Sequence, residues 1–216
     1  MKKYTNIVII DDDKFSRTVL DKMLASIENF NICATFDNAE DCLLYLNTNN
    51  DIDLVITEMR LPKMSGVEAS KVFKEINPNL KVILLIANHP DCDILSVLYA
   101  NVDAYVLKEL TLRKLYKIID LVLNDEVWID MRLQHLIFDV IKSFSDKEYL
   151  YFKSMLTTKE TNLINMVLKG FKKKEVAIQL KVSISELSGY VYSIFEKLSK
   201  IKDEELIVRK LRYDFY

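Results

Sequence analysis

The chain has 216 residues, half of them apolar, with three glycines and three prolines, enough for one large or two small cores and too few loop formers for a long disordered linker. No apolar run reaches the roughly 18 residues of a membrane span, and the start MKKYTNIVIIDDD has an apolar run of only four residues before three aspartates, so it reads as a first strand, not a signal peptide, and points to the cytoplasm. Residues 1–145 carry a net charge of −6 and residues 146–216 a net +4, which assigns different partners to the two parts and opens the basic one to nucleic acid.

Ile7 to Ile10 is a continuous apolar run, as a strand buried on both faces requires. Phe15, Val19, Leu20, Met23, Leu24 and Ile27 follow at helical spacing. Asn31 to Phe36 reads as a second strand and Ala39 to Leu46 as a second helix. Leu54 to Ile56 is the third strand, and Val67 to Ile76 a helix stopped by Asn77-Pro78. Val82 to Ile86 is a fourth strand, Asp91 to Ala100 a helix capped by Asp91, Ala104 to Leu107 a fifth strand and Thr111 to Leu123 a fifth helix. Five strand–helix units in succession predict a parallel, doubly wound α/β sheet. Cys33, Cys42 and Cys92 are odd in number and fit no metal spacing, so they read as small core residues, a reactive thiol being the alternative.

All strand C-termini of such a sheet share one edge. Asp11 and Asp12 follow the first strand, Glu58 ends the third and Lys108 ends the fifth, so these groups can meet in one pocket. Clustered carboxylates raise one another's pKa unless a cation intervenes, and Lys108 or a weakly bound Mg²⁺ would supply it. The plain alternative is that Asp11 to Asp13 are loop-entry acids on a solvated rim.

The segments IIDDD, DLVITEMRLPKMSG, KVILLIA and NVDAYVLKE resemble the receiver domain of two-component response regulators over roughly residues 3–124, which sets the first domain at residues 1–124. The resemblance implies a flavodoxin-like, five-stranded parallel sheet of order 2-1-3-4-5. It places the Mg²⁺-holding acid pair on Asp11 and Asp12, the invariant lysine on Lys108 and the aromatic switch residue on Tyr105. Two positions depart from the family pattern. The phosphoacceptor aspartate is Glu58, and the switch Thr or Ser is Ile86. Phosphoryl transfer needs an in-line nucleophile, and glutamate sets its carboxylate about 1–1.5 Å further out. Ile86 has no hydrogen-bonding group for a phosphoryl oxygen. The receiver is therefore expected to work without phosphorylation, with no acceptor for a cognate kinase. Inefficient phosphate uptake at Glu58, or a pocket repurposed for a metal or small ligand, are the other readings.

Residues 125–155 read as a helical linker, with Leu133, Leu136, Ile137, Val140, Ile141 and Phe144 at helical spacing. Trp128 and Ile129 are expected to pack back on the body, and Asp146 to Met155 to be the most flexible stretch. The third region, 156–216, opens with a Thr157-x-x-Glu160 capping box, and Gly170 fits a helix-ending position. Lys172, Lys173 and Lys174 open the next helix, Lys181-Val182 makes a turn, and Ser183-x-x-Glu186 is a second capping box. A last helix starts at Asp203. Two short helices about a tight turn fit a helix-turn-helix or a plain αα-hairpin. The stretch LTTKETNLINMVLKGFKKKEVAIQLKVSISELSGYVYSIFEKLSKI resembles the four-helix DNA-binding domain of NarL/FixJ (LuxR-type) regulators.

That resemblance implies binding to double-stranded DNA as a homodimer, with the helix from Asp203 to Leu211 as dimer face. Lys172, Lys173, Lys174, Lys181, Lys197 and Lys200 are then candidates for phosphate contacts, or a solvated face in the plain reading. Base readout would rest on Ser185, Ser188, Tyr190 and Tyr192. Here too the chain departs: the family's recognition-helix lysine is Ser188, and Glu186 and Gly189 stand beside it. The expected function is a DNA-binding transcriptional regulator and not an enzyme. The rival is an interaction module that pairs with another regulator and binds DNA weakly or not at all. The sequence implies no resident cofactor beyond the weak Mg²⁺, and no membrane partner.

Overall fold

A computed structural model of the protein describes residues 4–87, 102–142, 144–169, 171, 173–183, 186–187 and 189–198. Two compact units are present, one holding the described residues up to Trp128 and the other those from Ile129 onward. The division therefore counts the helices of the expected linker with the C-terminal unit.

The first unit is built on β1 (Thr5–Ile10), β2 (Phe30–Phe36), β3 (Leu54–Glu58), β4 (Lys81–Ile86) and β5 (Ala104–Leu107). These pair in parallel, and β6 (Trp128–Ile129) makes the order β2-β1-β3-β4-β5-β6. Six strands thus replace the expected five. Two residues carry no readable periodicity, so the sequence shows Trp128-Ile129 only as an apolar pair; Trp128 N–H donates to Asp103 O at 3.1 Å. The central strands β3, β4 and β5 are buried along nearly their whole length, whereas the edge strand β2 is only half-buried.

Helices α1 (Lys14–Ala25), α2 (Ala39–Leu46), α3 (Gly66–Ile76) and α4 (Leu112–Leu123) cover the sheet. Each begins on a side-chain cap: Asp13, Asn38, Ser65 and Thr111 accept from the third backbone N–H of their helices. Leu20 and Leu24 from α1 and Leu115, Ile118, Ile119 and Val122 from α4 share one core with Ile7, Ile9, Leu54, Ile56, Ile83 and Val106. The helix expected over residues 91–100 lies outside the described residues.

The second unit contains α5 (Met131–Lys142), α6 (Asp146–Ser154), α7 (Thr158–Leu168) and α8 (Lys173–Leu180), and residues 186–187 and 189–198 are helical. The stretch from Asp146 to Met155, expected to be the most flexible, holds helix α6. Ser145 accepts from Glu148 N–H while the Glu148 carboxylate accepts from Ser145 N–H, a complete capping box. Only Phe152 of α6 is buried, so there is no apolar stripe to read, and the Ser-x-x-Glu start was the one legible signal. Both capping boxes expected further on are formed, Thr157 with Glu160 and Ser183 with Glu186. Gly170 and the helix from Asp203 lie outside the described residues.

Candidate functional site

The backbone ladder runs past the strands and fixes the pocket residues. Asp11 N–H donates to Phe36 O at 3.1 Å, Met59 N–H to Leu85 O at 2.8 Å, and Lys108 N–H to Ile86 O at 3.0 Å. The side chains of Asp11, Glu58 and Lys108 are thereby aimed at one point on the sheet edge. Asp11 is wholly buried and Glu58 nearly so. The Lys108 ammonium lies 2.8 Å from Asp11 Oδ2 and is ion-paired with Glu58 Oε2. Glu58 Oε1 also accepts from Arg60 N–H at 3.2 Å.

Asp11 has further donors. Its Oδ1 accepts from Asp13 N–H at 3.0 Å and its Oδ2 from Ser16 Oγ–H at 2.7 Å. Asp12, the other half of the expected acid pair, is exposed. The acids therefore part company: one is locked in the pocket and one faces solvent. Burial pushes the Glu58 carboxyl up from its ordinary value, partly offset by Lys108 and the Arg60 N–H. Burial depresses Lys108, but the hydrogen bonds and charges of Asp11 and Glu58 more than reverse this, so its pKa ends raised. Ile86 is fully buried, and Tyr105 is buried with its hydroxyl accepting from Val102 N–H at 3.3 Å. Among the described residues no group of three or more His, Cys, Asp or Glu is disposed to hold a metal ion.

The loop after β3 is bound to the same edge. Gly66 N–H donates to Met59 O at 2.8 Å, and Lys63 takes a positive φ of 62°. Ser65 and Glu68 close a capping box at the start of α3; the sequence carried this Ser-x-x-Glu signature, and it went unread beside the more prominent Pro and Gly.

In the helical unit, Lys174 and Lys181 are exposed, and Lys181 takes φ 54° in the turn after α8. Lys197 is placed differently from its expected role. Its ammonium lies 2.8 Å from Glu160 Oε1 and 2.6 Å from Oε2, and Glu160 is buried. Lys197 thus joins the helix over 189–198 to the start of α7. The Glu160 carboxyl is desolvated, yet Lys197, Ser193 and the Thr157 N–H and hydroxyl bring its pKa down to about 2. Tyr190 is held by Lys159, whose Nζ lies 3.1 Å from the tyrosine hydroxyl and 5.5 Å from the ring centroid. Gly189 is exposed and Tyr192 half-buried. Lys172, Ser185, Ser188 and Lys200 lie outside the described residues, and Lys173 is described only in its backbone, at the first position of α8.

Known proteins share the sequence pattern and the fold. Residues 7–120 match the model of the response regulator receiver domain. Response regulator GacA of Pseudomonas aeruginosa is 26% identical over 207 residues, covering 96% of this chain and 95% of that protein. Response regulator UvrY of Escherichia coli K12 is 23% identical over 210 residues, covering 96% and 94%. A crystal form of the RcsB response regulator of Salmonella typhimurium has the same fold, with TM-score 0.58 and 24% identity over 91% of this chain and 92% of that one. A structure of two RcsB dimers bound to two parallel DNAs aligns with TM-score 0.54 at 22% identity, over 91% and 93%. No described helix is long and apolar enough to cross a membrane. The chain belongs to the response regulators, with a receiver domain on a flavodoxin-like sheet followed by a helical unit over which the alignments with GacA, UvrY and RcsB extend.

Proposed function

We propose that this response regulator is a cytoplasmic, dimeric transcriptional regulator that binds double-stranded DNA, and that its receiver works without phosphorylation or a resident metal. It carries no catalysis of its own on this reading and needs no cognate kinase. The observation that carries it is the Lys108 ammonium seated between Asp11 and Glu58. An ammonium there supplies the positive charge that the carboxylates require. With Asp11 also engaged by Ser16 and the Asp13 N–H and Asp12 turned to solvent, the residues do not fit a resident Mg²⁺. Ile86 has no hydroxyl to follow a phosphoryl group, so the usual signal has neither acceptor nor reporter. Lys174 and Lys181, exposed about the turn, support phosphate contact, as do DNA complexes of a protein with the same fold.

Intact-mass analysis after incubation with acetyl phosphate and Mg²⁺ tests the receiver half. The expected mass is unchanged, and a stoichiometric phosphorylated species would sink the proposal. Titration of the untreated full chain with its own upstream DNA at two salt concentrations tests the other half, where salt-sensitive binding is expected. One observation favours the interaction-module reading: Ile178 of α8 is 76% exposed beside Lys174 and Lys181. A stable dimer with no salt-sensitive affinity for any duplex would put that reading first.

A further inference from the structure

The helix over 189–198 sorts its residues by angle. Successive residues advance by about 100°, and Val191, Ile194, Phe195 and Leu198 form its buried side. Gly189 and Glu196 lie on the exposed side. Tyr190, Ser193 and Lys197 fall between, on a flank three or four residues apart. That flank meets the start of α7: Lys197 and Ser193 bond Glu160, and Tyr190 meets Lys159. Tyr190 therefore stands at the side of the helix rather than at its outward centre. A group at the side of a helix lying in a groove faces the sugar–phosphate wall, not the base edges.

From this geometry we infer that Lys159 and Tyr190 together form a contact point for one DNA phosphate, which stands in for the lysine that this recognition helix lacks. The inference rests on the DNA-binding reading above. Lys159 is exposed and its ammonium has three donors. One is directed to the Tyr190 oxygen, 3.1 Å away, which leaves two. The Tyr190 hydroxyl, accepting from a cation, keeps its own O–H to donate, and donation strengthens when the same oxygen accepts. The pair thus offers several convergent donors to a phosphodiester oxygen. Packing over the ring limits the freedom of the lysine chain and lowers the entropy lost on binding.

A second relation supports this placement. Glu186, four residues before Tyr190 in the chain, is exposed and would repel a phosphate. Its carboxyl pKa is lowered first by the Ser183 N–H and hydroxyl, and also by the charge of Lys159. Lys159 therefore offsets this exposed acid.

The test measures affinity of the full-length protein for a labelled random-sequence duplex across a range of salt concentrations. Lys159→Ala should lower the log–log salt slope by about one unit. Lys159→Arg should keep it. Tyr190→Phe, which keeps the ring and the charge, should weaken binding roughly fivefold with little change of slope. The losses in Lys159→Ala and Tyr190→Phe should be less than additive when combined. A wild-type slope in Lys159→Ala, from a protein that still binds DNA, overturns this inference and leaves the DNA reading standing. A wild-type protein without salt-sensitive binding overturns both. Unchanged thermal melting of Lys159→Ala is expected, and a loss of binding that only follows a loss of folding counts against the contact.

Discussion

A methyl group on Gly66 would lie 2.0 Å from the backbone oxygen of Glu58. The first residue of α3 thus rests directly on the strand end that carries the central acid of the pocket. The two are tied further by the Gly66 N–H bond to Met59 O. Neither partner of the contact is a flexible side chain, so relief requires backbone movement.

Gly66→Ala should destabilise the receiver by roughly 3 kcal/mol or more, since overpacking against backbone leaves no cheap relaxation. Chemical denaturation of the full chain, followed through Trp128, measures this. A loss below about 1 kcal/mol would show that the loop after β3 gives way freely.

Lys108→Ala should leave Asp11 and Glu58 buried without their cation, at a loss of about 2–4 kcal/mol. The pH dependence has a definite sign. Burial raises the Glu58 pKa above its ordinary 4.5, so its contribution to stability is fully present below that value and is lost as pH rises through the folded one. Removing Lys108 removes a cause that holds the pKa down, so the defect should be largest at neutral pH and should shrink as the solution is acidified. Added Mg²⁺ should not restore the variant, because Ser16 and the Asp13 N–H still engage Asp11. Full rescue by Mg²⁺ would mean that the pocket is a metal site after all.

The sheet was legible because its strands are short apolar runs at regular intervals, and the pocket because strand ends in a parallel sheet must converge. What the sequence did not reveal is how the convergence resolves. Asp11 and Asp12 are adjacent and chemically identical, yet one is buried with donors from Ser16 and the Asp13 N–H and the other is exposed. Lys197 and Glu160 are 37 residues apart, beyond any local pattern, so Lys197 read as one more basic residue. Lys159 hid in the same way, because its partner Tyr190 lies on another helix.

The Glu160–Lys197 pair should make the helical unit acid-sensitive. The Glu160 pKa falls from 4.5 to about 2 on folding, so its contribution is present above about 4.5 and is lost as pH falls toward 2. Glu160→Gln preserves the shape and the cap acceptor but not the charge. Its loss of stability against the wild type, by circular dichroism in urea, should be roughly 2–3 kcal/mol at pH 6 and nearly absent at pH 2. A difference that stays constant with pH would mean that the amide loses packing or cap geometry rather than an ion pair.

The last test uses Gly189, where an added methyl group meets no other part of the described residues within 4 Å, its own helix backbone and chain neighbours aside. Helical glycine is less favourable than alanine by about 1 kcal/mol, and no contact among the described residues compensates for it. The position is exposed, on the outward side of the helix that the DNA-binding reading proposed above sets against the duplex. An outside partner that approaches the backbone closely would account for the missing side chain. Gly189→Ala should then raise the stability of the helical unit by up to about 1 kcal/mol and at the same time weaken DNA binding. The two effects run in opposite directions, so impaired folding cannot mimic the result. Higher stability with unchanged or tighter DNA binding would place the backbone of Gly189 away from the duplex, and the close-approach account of this helix would fall.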